Sequence, residues 1–218
     1  MSRKSAADRY DERRTALLET EKSLAQGNAR GLFKTVILFP RPYERGMAHL
    51  SFHRIHRQLS TWPDTVCYRA FQPDRDEYNW RRRSGNPPVT LDTGAPFNQC
   101  DLLLVLIPGE SDYLPALEMM SMAGMTLRAA KRREKWPLVL AAGLSVTANP
   151  MPLMLFFDAF LIGESEPILG PVLDTVKNMG RSAASKEAIL RQLAELPGMY
   201  VPRVHGLSPR FGIMRQWA

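Results

Sequence analysis

One segment, residues 101–107, restricts the fold more than any other because its side chains are almost all apolar. The run Leu-Leu-Leu-Val-Leu-Ile that follows Asp101 is typical of a short strand buried on both faces. Strands of this kind occur almost only in parallel sheets that are covered by helices on both sides. The segment therefore predicts an α/β domain.

The rest of the chain supports this fold class, since strand-like and helical segments alternate. Strands are predicted at residues 35–39, 65–71, 101–107, 137–142 and 159–162, and helices at 46–59, 113–124, 151–157, 167–180 and 185–196. No hairpin dipeptide joins the strands, so we predict a doubly wound, mainly parallel five-stranded sheet of the flavodoxin-like type. Residues 74–98 are polar and contain several Gly and Pro residues, which predicts an irregular excursion.

The two ends of the chain predict extensions of this domain. Residues 1–30 predict a polar helical appendage with a thin apolar stripe (Leu17, Leu18 and Leu24) that ends at residues 27–31. Residues 31–180 form the predicted α/β domain, and residues 181–218 predict a helix and a linker. The first residues have no apolar signal core, and no apolar run approaches the roughly 18 residues of a membrane span. We therefore predict a cytoplasmic protein without a membrane partner.

The charge of the chain is basic, at +7, and part of the excess is clustered at residues 81–83 and 131–133. A basic protein can bind nucleic acid or another anionic partner. No helix–turn–helix, zinc finger or aromatic RNA-binding motif accompanies the clusters. A solvated basic face is the favoured interpretation, and a nucleic-acid partner is not expected.

Cysteine and histidine give little basis for a metal site. Cys67 and Cys100 are the only cysteines, and an iron–sulfur cluster or structural zinc usually takes four ligands. His49, His53 and His56 lie at helical i, i+4, i+7 spacing, which allows a metal-binding face. No carboxylate follows in register, so a helix face with partly exposed imidazoles is favoured. We predict no metal site.

Ligands of doubly wound folds bind beyond the carboxyl ends of the strands, so the loops at 39–46, 108–113, 143–150 and 163–166 are the candidates. The first loop ends at a helix N-terminus, which suits an anion. There is no G-x-G-x-x-G or G-K-[ST] motif, so neither a dinucleotide fingerprint nor a P-loop is expected. Gly143 would let a flat ligand approach the backbone, although a tight turn also requires glycine.

Acidic residues in two of these loops allow a second interpretation. Glu110 and Asp112 could act in acid–base chemistry, but Ser111 or Asp112 as the N-cap of the next helix is favoured. Glu164 and Glu166 lie near a helix start, where the helix dipole alone favours carboxylates. A small hydrolase or transferase that uses either acidic pair is the weakest hypothesis, because such a pair needs a partner with a shifted pKa.

Five segments, in chain order, resemble one known family. Residues 39–50 contain a strand end followed by Tyr-Glu-x-Gly-Met-x-x-Leu, and residues 122–129 read Met-Ala-Gly-Met-Thr-Leu-Arg-Ala. An Ala-Gly-Leu turn is followed by Asn-Pro-Met-Pro at residues 149–152. Residues 158–166 read Asp-Ala-Phe-x-x-Gly-Glu-x-Glu, and residues 198–202 read Gly-x-Tyr-Val-Pro. Over about residues 33–204 the chain resembles the N-terminal half of radical SAM proteins that carry a cobalamin-binding-like domain ahead of their barrel, in a large bacterial group.

The resemblance implies a cobalamin-binding-like fold and a cofactor site at the loops, with cobalamin as the implied cofactor. The implied cofactor-binding residues are Tyr43, Glu44, Gly46, Met47, Gly109, Ser111, Gly143, Ser145, Gly163, Glu164 and Glu166. The chain departs from the family at Ala142 and Met151, where the family has Gly and Glu. It also lacks the Asp-x-His-x-x-Gly motif that supplies a cobalt ligand in classical cobalamin domains.

The largest departure is the missing Cys-x3-Cys-x2-Cys motif, since the chain reaches Ala218 near the point where the family's barrel begins. A [4Fe–4S] cluster and SAM are therefore not expected in this chain, and no catalytic residue is predicted. We expect an accessory or ligand-binding N-terminal domain that is non-catalytic alone and whose partner is a separate radical SAM barrel subunit. The alternative is a non-enzymatic protein-interaction domain with a degenerate ligand site.

Overall fold

A computed structural model describes residues 5–21, 32–132 and 137–206, and a six-stranded sheet lies at their centre. The strands are β1 (Phe33–Phe39), β2 (Thr65–Phe71), β3 (Leu102–Leu106), β4 (Leu138–Ala142), β5 (Ala159–Leu161) and β6 (Met199–Tyr200). They stand in the order β2-β1-β3-β4-β5-β6. The order of the first five strands is that of flavodoxin-like doubly wound folds.

The predicted α/β class and the mainly parallel sheet are confirmed, with one strand more than predicted. Strands β1 to β5 pair in parallel, and β6 pairs antiparallel with β5, with Met199 opposite Leu161. A strand of two residues is too short to show a period of two, so the sequence pattern contains no signal for β6.

Nine α-helices connect and cover the described part of the sheet. They are α1 (Ala6–Thr20), α2 (Tyr43–Met47), α3 (Leu50–Thr61), α4 (Arg75–Ser84), α5 (Tyr113–Met122), α6 (Leu144–Ala148), α7 (Ser165–Arg181), α8 (Lys186–Ala194) and α9 (Pro202–His205). Among these described helices, none combines the length and the hydrophobicity needed to cross a membrane.

Alternate residues of the central strands enter two separate cores, because successive side chains of a strand point to opposite faces. Ile37 and Leu104 pack with α3, α7 and α8 on one face. Leu38 and Leu103 pack with α5 and α6 on the other face. Both faces of the sheet are therefore covered, as the apolar run at residues 101–107 predicts.

Four predicted segments differ from the structure. The helix predicted at 46–59 is divided into α2 and α3, and the loop predicted at 143–150 contains α6. The excursion predicted at 74–98 contains α4, which begins where Asp74 accepts a hydrogen bond from the Glu77 N–H at 2.9 Å. This helix is strongly polar, so it lacks the apolar stripe on which helix prediction depends. The helix predicted at 151–157 is only a 3₁₀ turn at Met151–Leu153, beside prolines that cannot donate backbone hydrogen bonds.

The predicted N-terminal helix is confirmed as α1. Ser5 caps it by accepting a hydrogen bond from the Asp8 N–H at 3.2 Å, while the Asp8 carboxylate accepts one from the Ser5 N–H at 3.1 Å. None of the residues of α1 is buried. The predicted stripe residue Leu24 and the predicted helix end at residues 27–31 lie outside the described residues.

A buried carboxylate connects the amino end of the sheet to the C-terminal helices. Asp158, directly before β5, accepts a hydrogen bond from the Val139 N–H at 2.9 Å. It also forms ion pairs with Arg132 at 3.3 Å and with Lys186, the first residue of α8, at 2.9 Å. The desolvation of both cations lowers their pKa values, and the neighbouring Asp158 carboxylate opposes that effect.

Replacing Asp158 with Asn should lower the free energy of unfolding by about 3–5 kcal/mol, because two buried cations would lose their carboxylate. Urea unfolding at neutral pH measures the change. The matched control is Glu187→Gln, which breaks an exposed pair with Arg191 and should cost less than about 1 kcal/mol. Equal effects of the two substitutions would contradict a structural role for Asp158.

Candidate functional site

The candidate site lies at the carboxyl edge of the sheet, where the strand order changes direction. The chain passes from β1 outward to β2 and then returns to the other side of β1 to form β3. The loops after β1 and β3 consequently leave the sheet side by side in opposite directions. This arrangement is the topological switch point at which doubly wound folds bind ligands.

An ion pair spans the switch point. Arg41, after β1, donates through Nε and Nη2 to the two carboxylate oxygens of Asp112, at 2.6 and 2.9 Å. Asp112 also accepts a hydrogen bond from the Gly109 N–H at 3.0 Å, and Ser111 Oγ lies 3.4 Å from Arg41 Nη2. The hydrogen bonds that Arg41 donates to the Asp112 carboxylate raise the pKa of Arg41. Since Asp112 is buried and occupied by these contacts, its carboxylate holds two loops together.

The loop after β4 is tied to the end of β3 by its two predicted site residues. Ser145 donates from Oγ to the Ile107 carbonyl at 2.8 Å, and this hydrogen bond is buried. Gly143 has a φ of 123°, and a Cβ placed on it would lie 2.4 Å from the same carbonyl oxygen. The requirement for glycine here comes from the close approach of two backbones, in addition to the turn.

The loop after β5 is the most open part of the edge. Gly163 donates its N–H to Thr147 Oγ1 at 3.0 Å, and a Cβ placed on Gly163 would meet nothing within 4 Å. Glu164 is exposed. The Glu166 carboxylate pairs with Arg54 of α3 at 2.6 Å. Glu164 and Glu166 thus differ in environment, and Glu166 links two helices.

The predicted residues on α2 face a different neighbourhood. Tyr43 donates from its hydroxyl to Glu21 at 2.8 Å, and burial together with this bond raises the pKa of Tyr43 to about 12. A Cβ on Gly46 would lie 2.3 Å from Phe71 Cε1, so this glycine permits packing against β2. Met47 packs against one of the cores. The structure therefore groups the residues after β3, β4 and β5 and places those of α2 on the β2 side.

Three leucines that were not predicted as site residues surround the switch point. Leu50, Leu114 and Leu144 lie in the first turns of α3, α5 and α6, and they are 72 %, 71 % and 76 % exposed. Each is a large apolar residue at the start of a helix, where sequence periodicity does not show whether the side chain is buried or exposed. Arg41 was also missed, because its partner is distant in the sequence.

The three histidines with helical spacing do not converge. His53 Nε2 lies 2.7 Å from the Met47 carbonyl oxygen, and His56 Nε2 lies 3.2 Å from Ser60 Oγ. Burial lowers the pKa of His49, and the nearby Arg41 guanidinium adds to this effect. Across the ranges that the structure describes, no three His, Cys, Asp or Glu side chains are arranged to hold a metal ion.

The residues of the carboxyl edge meet some of the requirements of a site for cobalamin, the cofactor that the resemblance implies. The exposed leucines and the open backbone at Gly163 suit a flat, partly apolar ring on the carboxyl edge. Tyr43 and Glu44, the first residues of α2, occupy the segment that corresponds to the histidine motif of classical cobalamin domains. His49 follows this loop, but its Nδ1 atom is buried. These described residues thus suit a ring held by its face and side groups, and the buried Nδ1 atom of His49 is not presented to cobalt.

Comparison with known proteins gives one match. The sequence profile for the N-terminal region of radical SAM proteins matches residues 51–202, from the second residue of α3 to the first residue of α9. The matched part includes the loops after β3, β4 and β5, and it begins after α2. No curated protein and no solved structure matched the chain.

Replacing Gly143 with Ala should lower the free energy of unfolding by about 2–4 kcal/mol, because a Cβ there meets a backbone oxygen and the φ angle disfavours any other residue. Thermal unfolding measures this loss. Gly180→Ala is the control: Gly180 lies within α7, and its Cβ would meet nothing within 4 Å. We expect that control to be neutral or to gain up to about 1 kcal/mol. A stable Gly143→Ala variant would contradict the contact.

Stability should fall as the pH is lowered from 6.5 towards 4. Burial is the main cause that lowers the pKa of His56 from 6.5 to about 4, so the unfolded chain binds this proton in a range where the folded chain does not. Urea unfolding across this range measures the slope. His56→Gln should flatten it, whereas His53→Gln should change it much less, because burial and not the charge of His53 is the main cause of the lowered pKa. An equally steep slope in His56→Gln would contradict the assignment.

Proposed function

This chain belongs to the family formed by the N-terminal region of radical SAM proteins, and from that premise we propose that it acts as an accessory domain. Its working surface is the carboxyl edge of the sheet. This edge holds a cobalamin-type ring between the domain and a radical SAM barrel. The chain's own residues contribute binding and orientation, and the barrel contributes the radical chemistry.

The observation that carries this proposal is the exposure of Leu50, Leu114 and Leu144 around the switch point. A single exposed leucine is ordinary on a protein surface. Here three of them follow three neighbouring strands and rise from the same edge, where the fold class places its ligands. Burial of large apolar side chains drives most protein association. A flat ligand with a second domain above it would remove all three from water.

The two cysteines are poorly suited to hold the iron–sulfur cluster of a radical SAM protein. A radical SAM cluster is held by three thiolates, and the chain contains two cysteines. Burial raises the pKa of Cys67 to about 12 and also raises the pKa of Cys100. A thiol is a metal ligand only when it is deprotonated. Neither cysteine is therefore available as a cluster ligand in the folded domain.

Cobalamin supplies, when bound, a cobalt centre that carries a transferable group. The residues proposed to hold it are the backbone at Gly109 and Gly163 and the side chains of Leu114 and Leu144. The Arg41–Asp112 pair keeps the loops after β1 and β3 in place beneath the ring. No residue of the chain is proposed to bind cobalt.

The double substitution Leu114→Glu and Leu144→Glu should weaken binding of hydroxocobalamin at least about tenfold, because charged side chains would replace the apolar contact surface. The corrin absorbance that remains with the protein after gel filtration measures binding. Leu32→Glu with Leu155→Glu is the matched control, since these exposed leucines lie at the amino end of the sheet. Colourless wild-type protein would contradict the cofactor part of the proposal.

The partner part is tested separately by gel filtration with a radical SAM barrel subunit, with and without hydroxocobalamin. One outcome is that the chain binds the barrel subunit, that the carboxyl-edge substitutions abolish this binding, and that the chain binds no cobalamin. This outcome would identify the chain as a protein-interaction domain with a degenerate ligand site. Binding that only the amino-end substitutions abolish would show that the working surface is misplaced.

A further inference from the structure

A cavity of about 390 Å³ lies between α1 and α4 on the β2 side of the sheet. We call it the α1–α4 cleft. Phe71 at the carboxyl end of β2 lines it, together with Tyr10 of α1 and Trp80 of α4. The ring centroids of Tyr10 and Trp80 are 5.1 Å apart. Small-molecule sites typically have volumes of about 300–1,000 Å³. The cleft is thus large enough for a ligand, and it is separate from the switch point.

The wall formed by α1 is fixed by contacts along its length. Arg13 forms an ion pair with Asp74, the N-cap residue of α4. Arg14 donates from Nη1 to the Leu91 carbonyl at 2.8 Å. These contacts reach the two elements that form the opposite wall. The width of the cleft is therefore set by side-chain contacts that span it.

The end of α1 is fixed by a buried charge cluster. Arg69 of β2 donates to both carboxylate oxygens of Glu21, at 2.7 and 2.8 Å, and to Asp92 at 2.6 Å. The same Glu21 carboxylate accepts the hydrogen bond from Tyr43. A buried arginine requires such partners, because an unpaired buried charge is very costly. The attachment of α1 is thus part of how the fold neutralises Arg69.

Prolines are frequent in the lining of the cleft. Proline has no backbone N–H, and five prolines line the cleft: Pro42, Pro73, Pro87, Pro88 and Pro96. Phosphate and carboxylate ligands are usually held by backbone N–H groups or by free cationic side chains. At these five positions the lining therefore offers only a pyrrolidine ring or a backbone carbonyl, and no backbone N–H that could hold an anion.

The arginines of the lining already have partners within the described residues. Arg13 and Arg14 make the contacts given above, and Arg81 pairs with Glu77 and donates to the Pro87 carbonyl. The guanidinium of Arg81 also lies over the Trp80 ring, 5.4 Å from its centre. An anion that entered the cleft would have to break these contacts. The charges of the lining thus stabilise the cleft and leave its interior mainly apolar.

We infer that the α1–α4 cleft is a binding site for a neutral, ring-containing small molecule. Aromatic side chains of the lining can contact a flat ring. A charged ligand is disfavoured because the three arginines of the lining are each paired with a carboxylate of the lining. The molecule would contact both α1 and α4, so its binding also strengthens the attachment of α1. This site takes its own ligand, independently of any ring on the carboxyl edge.

Nile red, a neutral planar dye whose fluorescence rises in apolar surroundings, is a suitable probe. We expect saturable binding at one site, and Ala7→Trp should weaken it at least about tenfold, because Ala7 lines the cleft and an indole would occupy it. Ala16→Trp is the matched control in the same helix, at an exposed position outside the lining. Val89→Trp fills the cleft from the opposite wall and should give the same loss of dye binding. It replaces Ala7→Trp as the test if a large side chain in α1 prevents folding.

Competition tests the chemical class. Indole should displace the dye, and inorganic phosphate should not. Unchanged dye binding in both Ala7→Trp and Val89→Trp would overturn the site, and displacement by phosphate would overturn the ligand class. Loss of dye binding in the Leu114→Glu and Leu144→Glu variant would place the dye on the carboxyl edge and would also overturn the inference.

Discussion

The burial of the central strands on both faces is the constraint on which the rest of this molecule depends. Leu102–Leu106 and Leu138–Ala142 contribute side chains to two cores, so helices must cover the sheet on both sides. No face of the sheet centre remains for a ligand. Ligand sites are consequently confined to the loops at the strand ends and to the edges of the sheet. Both candidate sites occupy such positions.

The carboxyl edge combines closed and open parts. The Arg41–Asp112 pair and the Ser145 hydrogen bond close the loops after β1, β3 and β4 onto one another. The same closure holds the helix starts that present Leu114 and Leu144 to solvent. A rigid, apolar rim of this kind suits a surface that binds a preformed partner, since little conformational entropy is lost on binding. Such a rim agrees with the proposed role, in which the domain positions a ligand and its partner supplies the chemistry.

The sequence predicts the fold well wherever periodicity is strong. The run at 101–107 predicts the covered parallel sheet, whereas α4 and β6 are missed because one has no apolar stripe and the other is too short to have a period. The site is less predictable, since Arg41 and Asp112 are 71 residues apart and only the sheet order brings them together. Gly143 is predicted for a turn or a ligand, and its contact with the Ile107 carbonyl depends on that same order.

The attachment of α1 has a consequence for how its two ends respond to ionic strength. The Arg13 and Asp74 side chains are 55 % and 33 % exposed, whereas those of Arg69 and Glu21 are 9 % and 17 % exposed. Dissolved ions screen exposed charges far more than buried ones. Added salt should therefore weaken the ion pair that attaches α1 to α4 while the Glu21 end remains anchored. A neutral ligand in the α1–α4 cleft would acquire a salt-dependent affinity although it carries no charge.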